Sequence, residues 1–170
     1  GQFMKVFGLA GWSGSGKTAL LSKLLPELIG RGVMVSTIKH THHSVEVDEP
    51  GKDSYVHRES GATEVLVGSP QRWALIHENR GEPETSLDGL IARMTPVDIL
   101  LVEGFRAYPH DKVEVYRRDN DKPLICTEDP HIVAVASDVD LPKVRLPVFA
   151  LSDVAALASF ILVRCGLEGG

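Results

Sequence analysis

The chain has 170 residues, 43% of them hydrophobic, and a formal net charge of −5 at pH 7. This length and composition predict one domain with a substantial core, which we place at residues 4–165. The acidic balance and the lack of a basic block exclude the usual electrostatic footprint of a nucleic-acid-binding protein.

The first predicted elements are a strand over residues 4–10, a glycine-rich turn over residues 11–18 and a helix that ends near Gly30. The turn reads Gly-Trp-Ser-Gly-Ser-Gly-Lys-Thr and matches the phosphate-binding loop pattern G-x-x-x-x-G-K-[ST] at every fixed position. Such a loop points consecutive backbone N–H groups at a phosphate, at the positive end of the following helix. We predict that Lys17 reaches the β and γ phosphates and that the Thr18 hydroxyl ligates Mg²⁺. The predicted phosphate-binding residues are Gly11, Ser13, Gly14, Ser15, Gly16, Lys17 and Thr18.

A second strand is predicted over residues 33–39, because the run is rich in β-branched residues. The polar loop that follows carries His40, His42 and His43. Histidines at this spacing can ligate a transition metal, yet no nearby cysteine completes a zinc set. The loop also lies beyond the end of a strand, near the expected triphosphate. We therefore expect Lys39, His40 and His42 to contact phosphate oxygens or a partner protein rather than a metal.

A helix is predicted to start at Asp53, with Asp53 or Ser54 as its cap, and to stop at Gly61. Asp53 has two interpretations, an ordinary helix cap and a metal-side carboxylate. Strands at residues 64–68 and 72–77 flank a short turn that favours a hairpin. Residues 86–94 show the spacing of a helix with one apolar face.

Residues 97–104 form the most hydrophobic strand candidate in the middle of the chain, which is typical of a strand inside a parallel sheet. A phosphate loop needs an acidic group at the end of a neighbouring strand to hold Mg²⁺ or its water. Ligands gather beyond the carboxyl ends of parallel strands, where Glu103 lies, whereas Asp98 opens the strand. Glu103 is therefore the predicted metal-side carboxylate, and Asp98 is interpreted as a cap or surface group.

Further strands are predicted over residues 112–117, 131–137 and 147–151, before a last helix that is capped at Ser152 or Asp153. Strands that alternate with helices predict an α/β fold with a mainly parallel sheet flanked by helices. The strands at residues 72–77 and 112–117 are expected to add antiparallel edges.

The motif leaves the choice between ATP and GTP open, and the usual guanine signature Asn-Lys-x-Asp does not occur. Asp138, after the strand over residues 131–137, is a candidate substitute. Its carboxylate can accept hydrogen bonds from N1–H and the amino group of guanine, a pair that adenine does not offer. The alternative interpretation of Asp138 is a turn or helix cap.

Cys126 and Cys165 match no metal or redox spacing, which favours a reducing cytoplasm. No apolar run reaches the about 20 residues that cross a bilayer, and no signal-peptide pattern is present. We therefore expect a cytoplasmic protein without a membrane partner. Met4 is the expected native start, and residues 1–3 are interpreted as an added remnant.

Six segments together resemble the MobB family, the molybdopterin-guanine dinucleotide biosynthesis adapter proteins. They are residues 11–18, 38–43, 48–54, 71–75, 102–105 and 132–138. The loop motif is generic, whereas the combination is specific to this family.

The resemblance implies a P-loop NTPase fold, binding of GTP and Mg²⁺, weak GTP hydrolysis and a homodimer. It also implies a supporting role beside the molybdopterin guanylyltransferase and a molybdenum insertase. By similarity, Lys17 and Thr18 are phosphate and Mg²⁺ ligands, and Asp53 and Glu103 are acidic members of the site. Arg106 stands where the family often has lysine, so the charge is kept while the geometry of the head group changes.

Two other functions fit parts of the sequence. A small-molecule kinase would need a lid, for which residues 69–93 with Arg72, Arg80 and Arg93 are the candidate. A metal-delivery GTPase would use the histidine cluster. The sequence offers neither an evident hydrolytic glutamine nor an arginine finger, which fits slow turnover at most, and Arg72 or Arg106 from the second subunit of a dimer is the alternative source of such an arginine. No function is assigned to residues 106–130.

Overall fold

The computed structural model describes residues 4–42, 45 and 47–167, so residues 1–3 and His43 lie outside the described residues. The chain divides into two compact units, one made of Gly1–His40 with Thr95–Gly170 and the other of Thr41–Met94. In chain order the strands and α-helices are β1 (Lys5–Ala10), α1 (Lys17–Gly30), β2 (Val35–Lys39), α2 (Asp53–Glu59), β3 (Glu64–Gly68), β4 (Trp73–His77), α3 (Leu87–Ile91), β5 (Ile99–Glu103), β6 (Lys112–Tyr116), β7 (Ile132–Ser137), β8 (Val148–Ala150) and α4 (Val154–Arg164).

The first unit is built on a six-stranded sheet in the order β2-β5-β1-β6-β7-β8. Every neighbouring pair in it is parallel. The order changes direction around β1, because β5 pairs with one side of this strand and β6 with the other. Open parallel sheets bind ligands beyond the carboxyl ends of their strands at such a point. The loop after β1 is therefore in the position where a ligand site is expected.

The main core lies between the sheet and helices α1 and α4. Alternate residues of the central strands contribute to it, among them Phe7 and Leu9 of β1 and Leu101 of β5, and these three are at most 1% exposed. Leu24 of α1 and Ile161 of α4 pack against the same cluster. This period of two places Phe7 and Leu9 on the face of β1 that packs against the helices.

Helix α1 begins at Lys17, directly after the glycine-rich turn, and it continues through Pro26 to Gly30. Helix α4 is capped by Asp153, whose carboxylate accepts a hydrogen bond from the Ala156 N–H at 3.2 Å. None of the helices in the described ranges is long and apolar enough to traverse a membrane.

The second unit contains the antiparallel hairpin of β3 and β4, which forms a separate two-stranded sheet. The hairpin prediction is confirmed, whereas the expectation that residues 72–77 add an antiparallel edge to the parallel sheet is wrong, because β4 pairs with β3 in this separate sheet. Helix α2 in this unit follows Lys52, and Asp53 lies in its first turn rather than at the cap position. Helix α3 is shorter than predicted and is capped by Ser86, whose hydroxyl accepts from the Gly89 N–H.

The expectation of an antiparallel edge strand at residues 112–117 is wrong. Strand β6 is parallel and lies inside the large sheet, between β1 and β7. Its polar residues Lys112 and Glu114 are each 1% exposed, because neighbouring loops supply their partners. The Lys112 ammonium bonds Asp129 at 3.1 Å, and Glu114 accepts from the N–H groups of Ile125 and Cys126, both at 2.8 Å. The alternating polar residues of β6 are therefore buried and bonded to residues of neighbouring loops, and they do not face solvent at a sheet edge.

Candidate functional site

The glycine-rich loop joins β1 to α1 through a backbone that glycine favours. Gly14 and Gly16 have φ values of 85° and 95°, in the left-handed region that residues with a Cβ rarely adopt. The Ser15 N–H donates to the Trp12 carbonyl at 3.0 Å, which closes a tight turn ahead of the helix. The N-terminus of the 14-residue helix α1 therefore lies directly at the end of the loop. That is the arrangement in which backbone N–H groups bind phosphate.

Lys17, the first residue of α1, folds back over this loop. Its Nζ donates to the Gly11 carbonyl at 2.7 Å. Burial lowers the pKa of Lys17 below its usual value, the negative charge of Glu103 opposes that shift, and the nearby positive charges of Arg106 and Lys39 add to it. The ammonium therefore lies among other cations, a setting that an anionic ligand would stabilise.

Glu103 and Thr18 come together at the carboxyl edge of the sheet. Glu103 ends β5 and lies opposite Leu9 of β1, one residue before the end of that strand. The Thr18 hydroxyl donates a hydrogen bond to Glu103 Oε1 at 3.1 Å. Glu103 is only 8% exposed. A hydroxyl and a carboxylate are oxygen ligands of the kind that Mg²⁺ takes alongside nucleotide phosphates and water. The residues present therefore fit a Mg²⁺ ion that is shared with a bound nucleotide.

The ends of β2 and β5 bring further predicted residues to the same edge. Lys39 pairs in register with Glu103, and the His40 N–H donates to the Glu103 carbonyl at 2.8 Å. The His40 ring stacks on Phe105 with centroids 4.3 Å apart. The Arg106 guanidinium lies 5.1 Å from the ring centroid of Trp12, which belongs to the phosphate loop. Lys39, His40 and Arg106 are thus gathered near the loop, and their contacts with phosphate stay predictions.

Asp138 follows β7 and borders an open cavity of about 510 Å³, which is also lined by Arg118, Asp140 and Phe149. A cavity of this size is within the range of small-molecule sites. Asp138 Oδ1 accepts a hydrogen bond from the Arg118 N–H at 3.1 Å. The carboxylate therefore has a structural contact in the turn after β6, and its contact with guanine stays a prediction.

Asp53 and His42 belong to the second unit, which is described by itself. Asp53 is exposed in the first turn of α2. In this unit Arg58 bonds Asp48 at 2.6 Å and Glu78 at 2.7 Å, and its hydrogen bond holds the pKa of Asp48 below the usual value. The roles predicted for Asp53 and His42 stay predictions. Within residues 4–42, 45 and 47–167, no group of three or more His, Cys, Asp or Glu side chains is arranged to hold a metal ion.

The sequence indicates a turn at residues 119–121 but assigns it no function, whereas in the structure the turn at residues 117–123, which follows β6, contacts the phosphate loop. Arg117 Nε donates to the Ser15 carbonyl at 3.0 Å, and Asn120 Nδ2 donates to the Ser13 carbonyl at 3.1 Å. The contact could have been predicted from the position of this turn, which follows a strand that lies beside β1. It was not predicted because β6 was expected at an edge of the sheet.

Comparisons with known proteins agree with this architecture. A protein-family model described as "Molybdopterin guanine dinucleotide synthesis protein B" matches residues 6–138. The chain is 43% identical over 160 residues to the molybdopterin-guanine dinucleotide biosynthesis adapter protein of Escherichia coli (strain K12), and the match covers 92% of this chain and 91% of the relative. It is 39% identical over 158 residues to the adapter protein of the same name from Haemophilus influenzae, covering 92% of this chain and 86% of the relative.

A solved structure shows the same fold. The crystal structure of a molybdopterin-guanine biosynthesis protein B superposes with a TM-score of 0.74 at 28% identity, covering 94% of this chain and 99% of that one. These likenesses confirm the α/β P-loop NTPase fold and the family that the sequence resembles. They support the adapter function and give no support to a small-molecule kinase or a metal-delivery GTPase. The chain belongs to the molybdopterin guanine dinucleotide synthesis protein B family.

Proposed function

We propose that this chain is a GTP-binding adapter with slow GTPase activity in the biosynthesis of molybdopterin guanine dinucleotide. The observation that carries the proposal is the 3.1 Å hydrogen bond between Thr18 Oγ1 and Glu103 at the mouth of the phosphate loop. It joins the last residue of the motif to a buried carboxylate on the neighbouring strand. A Mg²⁺ ion held there would neutralise charge between the β and γ phosphates.

The loop residues have separate roles in this proposal. The backbone N–H groups of residues 11–18 orient the phosphates, and the ammonium of Lys17 exchanges the Gly11 carbonyl for phosphate oxygens. Lys39 and Arg106 add positive charge at the rim, since both act on the pKa of Lys17. His40 and His42 are proposed to contact phosphate or a partner protein, and Asp53 is proposed as a further acidic group for Mg²⁺.

The preference for GTP is proposed to come from Asp138. Its Oδ2 atom has no hydrogen bond within the described residues, and the side chain borders the cavity at the end of β7. A carboxylate in this place can accept from the N1–H and amino groups of guanine. Oδ1 keeps its bond to the Arg118 N–H, which orients the carboxylate.

Slow hydrolysis is supported by the glutamine content of the chain. Glutamine occurs only at positions 2 and 71. In GTPases that hydrolyse quickly, a glutamine orients the attacking water, and an arginine stabilises the transition state. We therefore propose that the protein senses or carries a nucleotide state and does not hydrolyse GTP rapidly.

The adapter is proposed to act as a cytoplasmic homodimer beside the molybdopterin guanylyltransferase and a molybdenum insertase. The two curated relatives above carry the name adapter protein. The hairpin of the second unit exposes Leu66, Trp73 and Leu75 by 63%, 67% and 44%. Contiguous apolar side chains on a hairpin are typical of a surface that a protein partner covers.

The experiment that tests the proposal is Glu103→Gln, which keeps the shape of the side chain and removes its charge. With Mg²⁺, we expect GTP affinity to fall about tenfold or more, toward the value measured in EDTA. Without Mg²⁺, the affinity should stay the same or rise, because a carboxylate next to phosphate is repulsive. The matched control is Glu128→Gln, which removes the charge of an exposed glutamate of the same unit. Equal Mg²⁺-dependent affinity in Glu103→Gln and the unmodified chain would refute the proposed site.

A further inference from the structure

The turn at residues 117–123, which we call the brace turn, is fixed to the phosphate loop at three points. Arg117 Nε bonds the Ser15 carbonyl at 3.0 Å, and Asn120 Nδ2 bonds the Ser13 carbonyl at 3.1 Å. From the other side, Trp12 Nε1 donates to the Pro123 carbonyl at 2.9 Å. Three hydrogen bonds therefore hold the brace turn and the phosphate loop together.

The hydrogen bonds to the Ser13 and Ser15 carbonyls also determine the direction of the N–H groups on the opposite side of the loop. A trans peptide is planar, and its C=O and N–H groups point in opposite directions. Bonds that hold the carbonyls of Ser13 and Ser15 toward the brace turn therefore point the N–H groups of Gly14 and Gly16 away from it. Those N–H groups are the donors that the loop motif offers to a phosphate. The brace turn thus fixes the orientation of two donors without touching the ligand.

Packing against the brace turn also explains why glycine is needed in the loop. A Cβ added at Gly16 would lie 2.8 Å from Arg117 Nε, and one at Gly14 would lie 3.0 Å from Asn120 Oδ1. The positive φ at these two positions is one reason for glycine, and the close approach of the brace turn is a second. The loop and the turn are therefore fitted to each other.

The brace turn is itself held by the sheet. Strand β6 ends at Tyr116, which pairs with Ser137 of β7, and Arg117 is the next residue. The Arg118 N–H donates to Asp138 Oδ1 at 3.1 Å. Both sides of the turn are thus connected to the carboxyl edge, one to the phosphate loop and one to the carboxylate that borders the cavity.

We propose that Arg117 and Asn120 are positioning residues that keep the N–H groups of the phosphate loop in their ligand-binding orientation. The role of Arg117 is geometric, because a guanidinium can both bond the Ser15 carbonyl and lie against Gly16, whereas an ammonium cannot do both. The inference rests on the proposed function, since the ligand of the loop is taken to be GTP.

The test uses Arg117→Gln and Arg117→Lys in the full chain, with Asn120→Ala as an independent removal of the second bond. We expect a loss of GTP affinity of about tenfold or more in Arg117→Gln, and a loss of similar size in Arg117→Lys despite its retained charge. Arg145→Gln is the matched control, because it removes the same charge from an exposed arginine of the same unit and should bind GTP like the unmodified chain. Full affinity in Arg117→Lys at low and high salt would show that only charge matters and would overturn the proposal.

A second readout separates the brace turn from the identity of the ligand. Amide hydrogen exchange of residues 11–18 in the nucleotide-free protein should become at least about fivefold faster in Arg117→Gln and Asn120→Ala, while β1 and β5 stay protected. If the unmodified chain binds no GTP, the proposed function fails, and this exchange experiment alone decides the role of the brace turn. Unchanged exchange in all three variants would overturn the proposal whatever the affinity for GTP.

Discussion

At the scale of single residues, the site depends on polar groups whose hydrogen-bond partners come from distant parts of the chain. Thr18 and Glu103 are 85 positions apart, and Arg117 and Ser15 are 102 positions apart. The phosphate-loop motif predicted Thr18 and Ser15, because the residues of the motif are close together in the sequence. It could not predict Arg117 or Asn120, since a hydrogen bond to a backbone carbonyl leaves no pattern in the sequence.

His110 is a buried histidine that the proposed chemistry does not use. Both ring nitrogens are buried without a hydrogen-bond partner in the described residues, and a Cβ added at Gly8 would lie 2.5 Å from Nε2. Burial, chiefly, and the positive charge of Lys112 lower the pKa of His110 from 6.5 to about 4, against the opposing charges of Asp129 and Asp111. The folded protein therefore favours the neutral ring next to β1.

This predicts a pH dependence of stability. Because the folded pKa of His110 is about 4 and the reference value is 6.5, its contribution is complete above pH 6.5 and is lost as the pH falls toward 4. The associated slope is at most about 1.4 kcal/mol per pH unit. Urea unfolding of His110→Phe should therefore give a free energy that changes less with pH between 6.5 and 4 than in the unmodified chain.

The control for this prediction is His57→Gln, which removes an exposed histidine of α2. It should leave the pH dependence unchanged. An identical pH profile in His110→Phe and the unmodified chain would show that the ring titrates as it does in the unfolded chain.

At the scale of secondary structure, continuous apolar runs predicted buried parallel strands correctly, whereas a run of mixed polar and apolar residues was placed wrongly in the sheet. Strands β1, β5 and β7 were predicted close to their observed bounds, because parallel strands buried on both faces are continuously apolar. Residues 112–117 were predicted to form an edge strand, and polar and apolar residues alternate in this run. The burial of Lys112 and Glu114 depends on donors and acceptors from residues 108–129, and no local pattern shows that a loop will return to bond them.

That error had a consequence for the site. With β6 at an edge, the turn after it would lie away from the phosphate loop. With β6 beside β1, the same turn bonds two loop carbonyls. Glu103, in contrast, could be chosen correctly over Asp98 as the group at the carboxyl edge, because the direction of one strand decides it. Asp98 instead accepts a hydrogen bond from the Met34 N–H at 2.8 Å, at the start of β2.

At the scale of the whole molecule, the family and the proposed adapter role lead to a prediction about assembly. We expect the purified chain to have about twice its 18.5 kDa mass by light scattering. In gel filtration with a purified molybdopterin guanylyltransferase, more of the two proteins should elute together in GTP and Mg²⁺ than in GDP, because the γ-phosphate is expected to order the residues around the loop. A monomer that elutes apart from the enzyme with either nucleotide would argue against the adapter role.

Residues 11–18 are proposed to form a GTP site in which Lys17 supplies the main positive charge for the phosphates. Calorimetric titration with GTP and with ATP in Mg²⁺ tests it most directly, on the unmodified chain, on Lys17→Ala, and on Lys23→Ala, which removes an exposed lysine from the same helix. We predict tighter binding of GTP than ATP, a loss of about 100-fold or more in Lys17→Ala, and no change in Lys23→Ala. A folded Lys17→Ala protein that binds GTP as tightly as the unmodified chain would contradict the account.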